Sequence, residues 1–456
     1  MGSTISFFEK RQCAIKDYSR EEMQGWIDKM LNYLGGEIWI KKSQNVDHPI
    51  VRLWKRKDYM ATNELLSFAY AVSIMDKVDS KWTAMTMKVV AGKDFNNVHG
   101  AIFEIIALSV FYDNACKVIP ASMGNPGIDG TICLKDGTEL NLSIKYYGIS
   151  KAELNFQKQM DEIYNYIGNE LRASKCLSAD IIINMKKYID SSREKKIVFQ
   201  QIKDLFNKFG ERCGCVQVCS ETNLATCYLR PIQNQNLSGV VKSYKLLAVS
   251  PMHKNEYKNL RDKIDDACLN LKKQVPISEN EKVSVRGILI HIHEDANIDA
   301  YQKEMQRYLE ENSGNEDFPI DYIVLYQVCV ACEEKVDKYS IYHVIKPAVS
   351  PRSIIFERKT NALSLPVISF FIGAVGLDSS KRVLLAGNRI LSELTDVYHY
   401  QKGEIYENGR EYDERQLYGE MKMLAPGVSV SPVFQLGDKK VIPKLITFET
   451  EHLEIL

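Results

Sequence analysis

The sequence predicts an α/β protein whose central part is a mixed sheet flanked by helices. Helical and strand patterns alternate from residue 95 to about residue 350, which is typical of sheets covered by helices. Residues 1–94 show mostly helical patterns, and residues 351–456 show short strand patterns separated by many turn residues. We therefore expect a helical start, an α/β centre and a β-rich end.

The 456 residues suffice for two to four domains, at roughly 100–200 residues each. Apolar residues make up 45% and charged residues 26%, so substantial hydrophobic cores can form. The changes of pattern predict a helical N-terminal region (1–94), a first α/β domain (95–235), a second α/β domain (236–350) and a β-rich C-terminal module (351–456).

Hydrophobic periodicity places the individual elements. In the N-terminal region it predicts helices at 20–33, 61–75 and 81–90, and a short strand at 37–42. In the first α/β domain it predicts helices at 98–112, 151–171 and 193–209 and strands at 117–119, 128–134, 139–146, 180–184, 215–219 and 225–229. In the second it predicts strands at 244–249, 283–292, 322–328 and 340–345 and helices at 255–273 and 300–311.

Charge and cysteine content narrow the class of protein. Lys plus Arg and Asp plus Glu both number 59, so binding to nucleic acid would need local basic patches rather than overall attraction. Eleven cysteines without a secretory signal predict reduced thiols and a cytoplasmic location. The most apolar run, residues 363–377, is shorter than the ~20 residues of a membrane span, so we expect no membrane partner.

An Asp-Gly pair at residues 136–137, between two strand patterns, predicts a hairpin. A three-residue loop would pair Ile132 with Leu142 and gather the aliphatic side chains on one face. The same register pairs Asp129 with Lys145 on the polar face. Because one buried face strongly selects the register, we expect this pairing, which places a carboxylate beside a lysine.

Glu104 is an acid within an otherwise apolar helical pattern, where burial is costly unless the carboxylate is paired or bound to a metal. With Asp129 and the tripeptide Ser143-Ile-Lys145, it forms an arrangement that resembles the PD-(D/E)XK, or restriction-endonuclease-like, nuclease superfamily. That family has a Glu on its first core helix, an Asp at a strand end and an acid-x-Lys motif on the next strand. The resemblance covers about residues 95–190 and implies a restriction-endonuclease-like mixed sheet.

The resemblance also implies a chemistry. Asp129 and Glu104 would bind Mg²⁺ or Mn²⁺, which prefer oxygen ligands. Lys145 would orient the attacking water and offset the developing negative charge, while the ion lowers the pKa of bound water.

Ser143 departs from the motif, because an acid is usual at its position. A subset of restriction enzymes carries Ser-x-Lys and supplies the acid from the following helix, at a position that Gln159 occupies here. Glu153, which flanks the apolar face of the predicted helix, is our first substitute as a catalytic and metal-binding acid, ahead of Glu162. Ser150 and Glu153 also match a capping box, so Glu153 either caps its helix or completes the site.

Basic and aromatic residues are interleaved at positions 52–59. Arg52, Lys55, Arg56 and Lys57 are therefore candidate nucleic-acid contacts, because basic side chains neutralise phosphates and aromatic rings stack on bases. A solvated charged face is the alternative.

We expect a cytoplasmic, metal-dependent endonuclease that hydrolyses phosphodiester bonds in DNA, with RNA as a second substrate class. By analogy, such chains act as restriction or phage-defence (antiviral) effectors, as homo-oligomers or with a partner protein. The alternative is a catalytically degenerate nuclease fold that binds nucleic acid or protein. A third class, a zinc hydrolase, would use His291 and His293, although the motif lacks a further histidine.

Overall fold

The structure, a computed structural model, describes most of residues 7–350 and shorter segments beyond. The described ranges are 7–9, 11, 13, 15, 18–42, 48–57, 59–112, 117–121, 127–134, 137, 139–173, 178–211, 217–231, 241–274, 284–293, 296, 298–315, 317–333, 338–350, 390–391, 397–407, 410–411, 434–436, 439–443 and 453–455.

The described chain contains helices and strands in an α/β arrangement, as predicted. The helices are α1 (Arg20–Leu34), α2 (Glu37–Lys42), α3 (Pro49–Lys55), α4 (Tyr59–Val78), α5 (Ser80–Val90), α6 (Phe95–Val110), α7 (Lys151–Ala173), α8 (Ser192–Glu211), α9 (Glu256–Gln274) and α10 (Ile298–Asn312). The strands are β1 (Lys117–Pro120), β2 (Gly130–Cys133), β3 (Glu139–Tyr147), β4 (Ser178–Met185), β5 (Val218–Glu221), β6 (Ala225–Pro231), β7 (Val241–Pro251), β8 (Ser284–Ile292), β9 (Tyr322–Glu333), β10 (Lys338–Val349), β11 (Ile390–Leu391), β12 (Val397–Glu407), β13 (Arg410–Glu411), β14 (Phe434–Leu436) and β15 (Lys439–Pro443).

The chain divides into two compact units, each discontinuous in sequence. The first comprises Met1–Gly148, Tyr257–Val383 and Thr450–Leu456, and the second comprises Ile149–Glu256 and Leu384–Glu449.

The predicted helices of residues 1–94 are present as α1, α4 and α5, but the predicted strand at 37–42 is wrong, because this segment is helix α2. The β-branched and aromatic residues Ile38, Trp39 and Ile40 favour a strand by local preference. In the structure, Gly35 and Gly36 have positive φ and end α1, and the chain then starts a second helix at once. Ile40 is buried, whereas Ile38 is exposed.

The first unit contains a six-stranded mixed sheet in the order β1-β2-β3-β8-β9-β10. Strands β3, β8 and β9 are parallel neighbours, and the outer pairs are antiparallel. Alternate residues of β8 and β9 lie in different cores. Leu289 and Val324 pack with α1–α6, and Ile290 and Leu325 pack with α9 and α10. Helices therefore cover both faces of the sheet, as is usual around parallel strands.

The second unit contains a sheet in the order β13-β12-β7-β4-β6-β5, whose core packs against α7 and α8. Its predicted elements at 151–171, 180–184, 193–209 and 225–229 are present as α7, β4, α8 and β6. The start of the strand predicted at 215–219 lies outside the described residues, and β5 begins at Val218. Within the predicted β-rich module the described residues between 390 and 443 form strands β11–β15, and most of the module lies outside the described residues.

The elements predicted for residues 236–350 are all present, but they belong to two different sheets. Strand β7 lies in the second unit, whereas β8, β9 and β10 extend the sheet that contains β2 and β3. The predicted boundaries after residues 94, 235 and 350 do not coincide with those of the two units. Local periodicity predicts an element, but it does not predict the distant strand with which that element pairs. Among the described residues, no helix is both long and apolar enough to cross a membrane.

Candidate active site

Strands β2 and β3 form the predicted antiparallel hairpin, but its register differs from the prediction by two residues. Ile132 pairs with Leu140 rather than with Leu142, so the loop spans residues 134–138. A shift by two residues keeps every side chain on its predicted face, because side chains alternate along a strand with a period of two. The predicted faces are confirmed, and the predicted pairs are wrong.

Asp129 stands directly before β2, and its backbone N–H donates to the carbonyl of Leu142 at 2.8 Å. Continued by one residue, the observed register places Asp129 across from Ser143, with Lys145 two residues further along the same face of β3. The predicted neighbours are therefore together, although Asp129 and Lys145 are diagonal rather than directly opposite.

One oxygen of Asp129 accepts hydrogen bonds from three donors on β3. Its Oδ2 accepts the backbone N–H of Ile144 at 2.5 Å, the ammonium of Lys145 at 3.2 Å and the hydroxyl of Ser143 at 3.3 Å. Among the residues that the structure describes, no donor reaches Oδ1. All three of these donors thus hold the carboxylate through the same oxygen.

Glu104 faces the start of β2 from helix α6. Leu108, one turn further along α6, approaches β2 so closely that a Cβ on Gly130 would lie 2.6 Å from its Cδ2 atom. Residues four apart share a helix face, so Glu104 points toward the same strand end. Burial and the charge of Asp129 raise the pKa of Glu104 to about 8, and Lys145 opposes this rise. The two acids and the lysine therefore share one electrostatic environment.

Lys263 is a member of this environment that the sequence did not suggest. It lies on α9, and its ammonium donates to the carbonyl of Tyr146 at 2.7 Å. Tyr146 directly follows Lys145 in the chain. Partial burial and the charge of Lys145 lower the pKa of Lys263. Lys263 is 118 residues from Lys145, and no local pattern in α9 marks it. Only the packing of α9 beside β3 brings it close.

Ser143 is buried in the sheet and donates to Asp129. At this position it supports the neighbouring carboxylate and adds no negative charge. Where the resemblance led us to expect an acid, the chain has a neutral donor.

Glu153 lies in the first turn of α7, in the second unit. Its backbone N–H donates to the hydroxyl of Ser150 at 3.0 Å, as a capping residue requires, and its side chain is buried. Ser150 thus makes the half of the capping box in which its hydroxyl accepts, and for the Glu153 carboxylate both helix capping and metal binding stay predictions. Glu162 pairs with Lys195 at 2.7 Å.

His291, the alternative zinc ligand, is buried on β8 beside β3. Its ring stacks on Tyr146 with centroids 4.9 Å apart and meets Phe103 edge-on at 5.1 Å. His293 follows the end of β8, and its carbonyl accepts from Gln327 at 2.7 Å. Asp295, an acid two residues beyond His293, lies outside the described residues. The packing supports His291 as a core aromatic residue.

The two carboxylates of the site are the type of ligand that small divalent cations prefer. The described residues include no group of three or more His, Cys, Asp or Glu side chains arranged around a metal position. Asp129 and Glu104 provide two acids with mutual repulsion, which a divalent cation would relieve. Mg²⁺ commonly uses one or two carboxylates and completes its shell with water and phosphate. The donor set therefore fits Mg²⁺ or Mn²⁺ bound together with a phosphate ligand.

The basic residues at positions 52–57 belong mainly to helix α3, which the sequence analysis missed. Arg52 and Arg56 both pair with Glu454, Arg56 at 3.8 Å. Lys55 and Lys57 are exposed. Trp54, a candidate base-stacking ring, packs on Phe7 and lies under the guanidinium of Arg11. Two of the four predicted contacts are thus already occupied by an acid of the same chain.

No protein-family model matches the chain. No significant match was found among curated proteins or solved structures. The function must therefore be argued from the site itself.

Proposed function

We propose that the chain is a metal-dependent endonuclease that hydrolyses phosphodiester bonds in DNA through Asp129, Glu104 and Lys145. The observation that supports this most is the convergence of Ser143, Lys145 and the Ile144 amide on a single oxygen of Asp129. The charges of Asp129 and Lys145 also act on the pKa of Glu104, which supports a shared site for the three groups.

In this proposal the chain's own groups perform separate tasks. Asp129 and Glu104 would hold Mg²⁺ or Mn²⁺, and when bound this ion would lower the pKa of water and offset charge on the phosphate. Lys145 donates to the attacking oxygen and stabilises negative charge that develops on the phosphate. Ser143 and the Ile144 amide keep the Asp129 carboxylate in place. The restriction-endonuclease-like arrangement of the sheet, the cytoplasmic location and a role in defence belong to the same proposal.

The second candidate is a nuclease fold that binds nucleic acid or protein without cutting it. Ser143 favours this candidate, because it leaves the described site with two acids rather than three. Under this alternative, Asp129 and Lys145 form a structural ion pair, and Glu104 remains protonated at neutral pH.

The test is cleavage of supercoiled plasmid, single-stranded DNA and RNA with Mg²⁺, Mn²⁺ or EDTA. Lys145→Met should reduce metal-dependent cutting at least about hundredfold, as the loss of one transition-state donor does elsewhere. Lys117→Met, which removes an exposed lysine from β1 of the same sheet, is the matched control. Asp129→Asn should abolish cutting.

The outcomes separate the two candidates. Metal-dependent cutting that persists in both Lys145→Met and Asp129→Asn would exclude this site. Retained nucleic-acid binding without cutting under any condition would favour the second candidate. Cutting of RNA alone would keep the site and change the substrate.

A further inference from the structure

Helices α3, α4 and α6 of the first unit surround a three-residue segment, Leu453–Ile455, that lies outside any helix or strand. Its contacts are made to residues about 390 positions earlier in the chain. The described contacts of the segment are thus made to helices that are remote from it in sequence.

The backbone of this segment is recognised by two buried side chains. Glu64 of α4 is fully buried, and its Oε2 accepts the N–H groups of Glu454 and Ile455, each at 2.8 Å. His99 of α6 is also buried, and its Nε2 lies 3.0 Å from the carbonyl of Glu454, to which it can only donate. Consecutive main-chain groups of the segment are thus paired inside the protein, where unpaired polar groups are costly.

The side chains of the segment are recognised separately. The carboxylate of Glu454 contacts the guanidinium groups of Arg52 in α3 and of Arg56, which directly follows this helix. Ile455 is buried in the core formed by α1–α6, and Leu453 packs against that core. The surface therefore distinguishes an acidic residue followed by an aliphatic one.

We propose that this surface of α3, α4 and α6 is a peptide-binding site whose resident ligand is the chain's own Leu453–Ile455 segment, and that it also accepts the same peptide supplied in trans. This binding function is separate from the proposed nuclease site. It assigns Arg52 and Arg56 to an acidic peptide rather than to nucleic acid.

The experiment uses the full chain with Glu454→Lys, which places a positive charge against both arginines and should empty the site. A fluorescein-labelled peptide with the sequence of residues 450–456 is then titrated and followed by fluorescence polarisation. We expect saturable binding to this variant and at least tenfold weaker binding to the wild-type chain, in which the resident segment competes. Glu310→Lys, an equal charge reversal at an exposed position of α10, is the control and should behave like the wild type.

Two further measurements test specificity. A peptide carrying Glu454→Gln should bind about tenfold more weakly, because it lacks the charge that faces the arginines. Adding the unmodified peptide should raise the melting temperature of the Glu454→Lys chain but not that of the Glu310→Lys chain. If the Glu454→Lys chain does not fold, Glu454→Gln in the full chain replaces it.

Absence of saturable peptide binding to the Glu454→Lys chain would overturn the proposal, even if that chain is destabilised. The segment Leu453–Ile455 would then bind only as part of its own chain. Equal binding to the Glu454→Lys and Glu310→Lys chains would overturn it as well. Neither result depends on whether the protein cuts DNA.

Discussion

Glu64 offers a test of the fold through its protonation. Burial raises the pKa of this carboxyl to about 8, and the amides of Ile455 and Glu454 and the charge of Arg56 only partly oppose the rise. At neutral pH the folded chain therefore holds a proton on Glu64, whereas the unfolded chain releases it near pH 4.5. Glu64→Gln keeps the shape and one acceptor oxygen but removes the titration.

The sign and size of the effect follow from proton linkage. Between the unfolded pKa of 4.5 and the folded pKa of about 8, the native state binds one more proton than the unfolded state. The stabilising contribution of Glu64 is thus complete below pH 4.5 and is lost as the pH rises toward 8. Relative to Glu64→Gln, the wild type should lose about 1.4 kcal/mol per pH unit, or about 3 kcal/mol between pH 5 and 7.

The assay is urea unfolding at several pH values, followed by tryptophan emission. The chain has four tryptophans, and all lie within residues 26–82, so the emission reports on the helical part of the first unit. Glu310→Gln, at an exposed position, controls for the substitution itself. If the difference in unfolding free energy between the wild type and Glu64→Gln does not change from pH 5 to 7, Glu64 is ionised in the folded chain, and our description of its environment is wrong.

Four further predictions concern the sheet and the site. Gly287→Ala should destabilise the first unit by about 1–3 kcal/mol in urea titrations, because its Cβ would lie 2.2 Å from the Tyr322 ring; an unchanged midpoint would contradict the packing. Tyr322→Phe should stabilise it by about 1 kcal/mol, since the buried hydroxyl has no hydrogen-bond partner among the described residues; lower stability would reveal a partner. Ser143→Asp should lower the melting temperature in EDTA and should increase the gain in melting temperature that Mn²⁺ produces. If Mn²⁺ raises the melting temperature of this variant no more than that of the wild type, the ion binds elsewhere. Lys263→Met should weaken DNA binding and reduce its logarithmic salt dependence by about one, which an unaltered salt titration would refute.

In the candidate site, side-chain alternation predicts the faces of the strands but not their register. Alternation along β2 and β3 predicted which side chains share a face, and that prediction is confirmed. The register was wrong by two residues, because alternation cannot distinguish pairings that differ by an even number. The length of the loop decides between them, and the loop is longer than the Asp-Gly pair suggested.

The sequence by itself determined the α/β class, most helices and strands, and the polar face that carries Asp129 and Lys145. These features depend on residues close together in the chain, where periodicity and turn preferences act directly. Only the tertiary structure decided that β8–β10 complete the sheet beside β3. It also brought Lys263 to the site and paired Arg52 with the carboxylate of Glu454. Each of these contacts joins residues more than 100 positions apart, and their packing follows from burial across the whole first unit rather than from any local pattern.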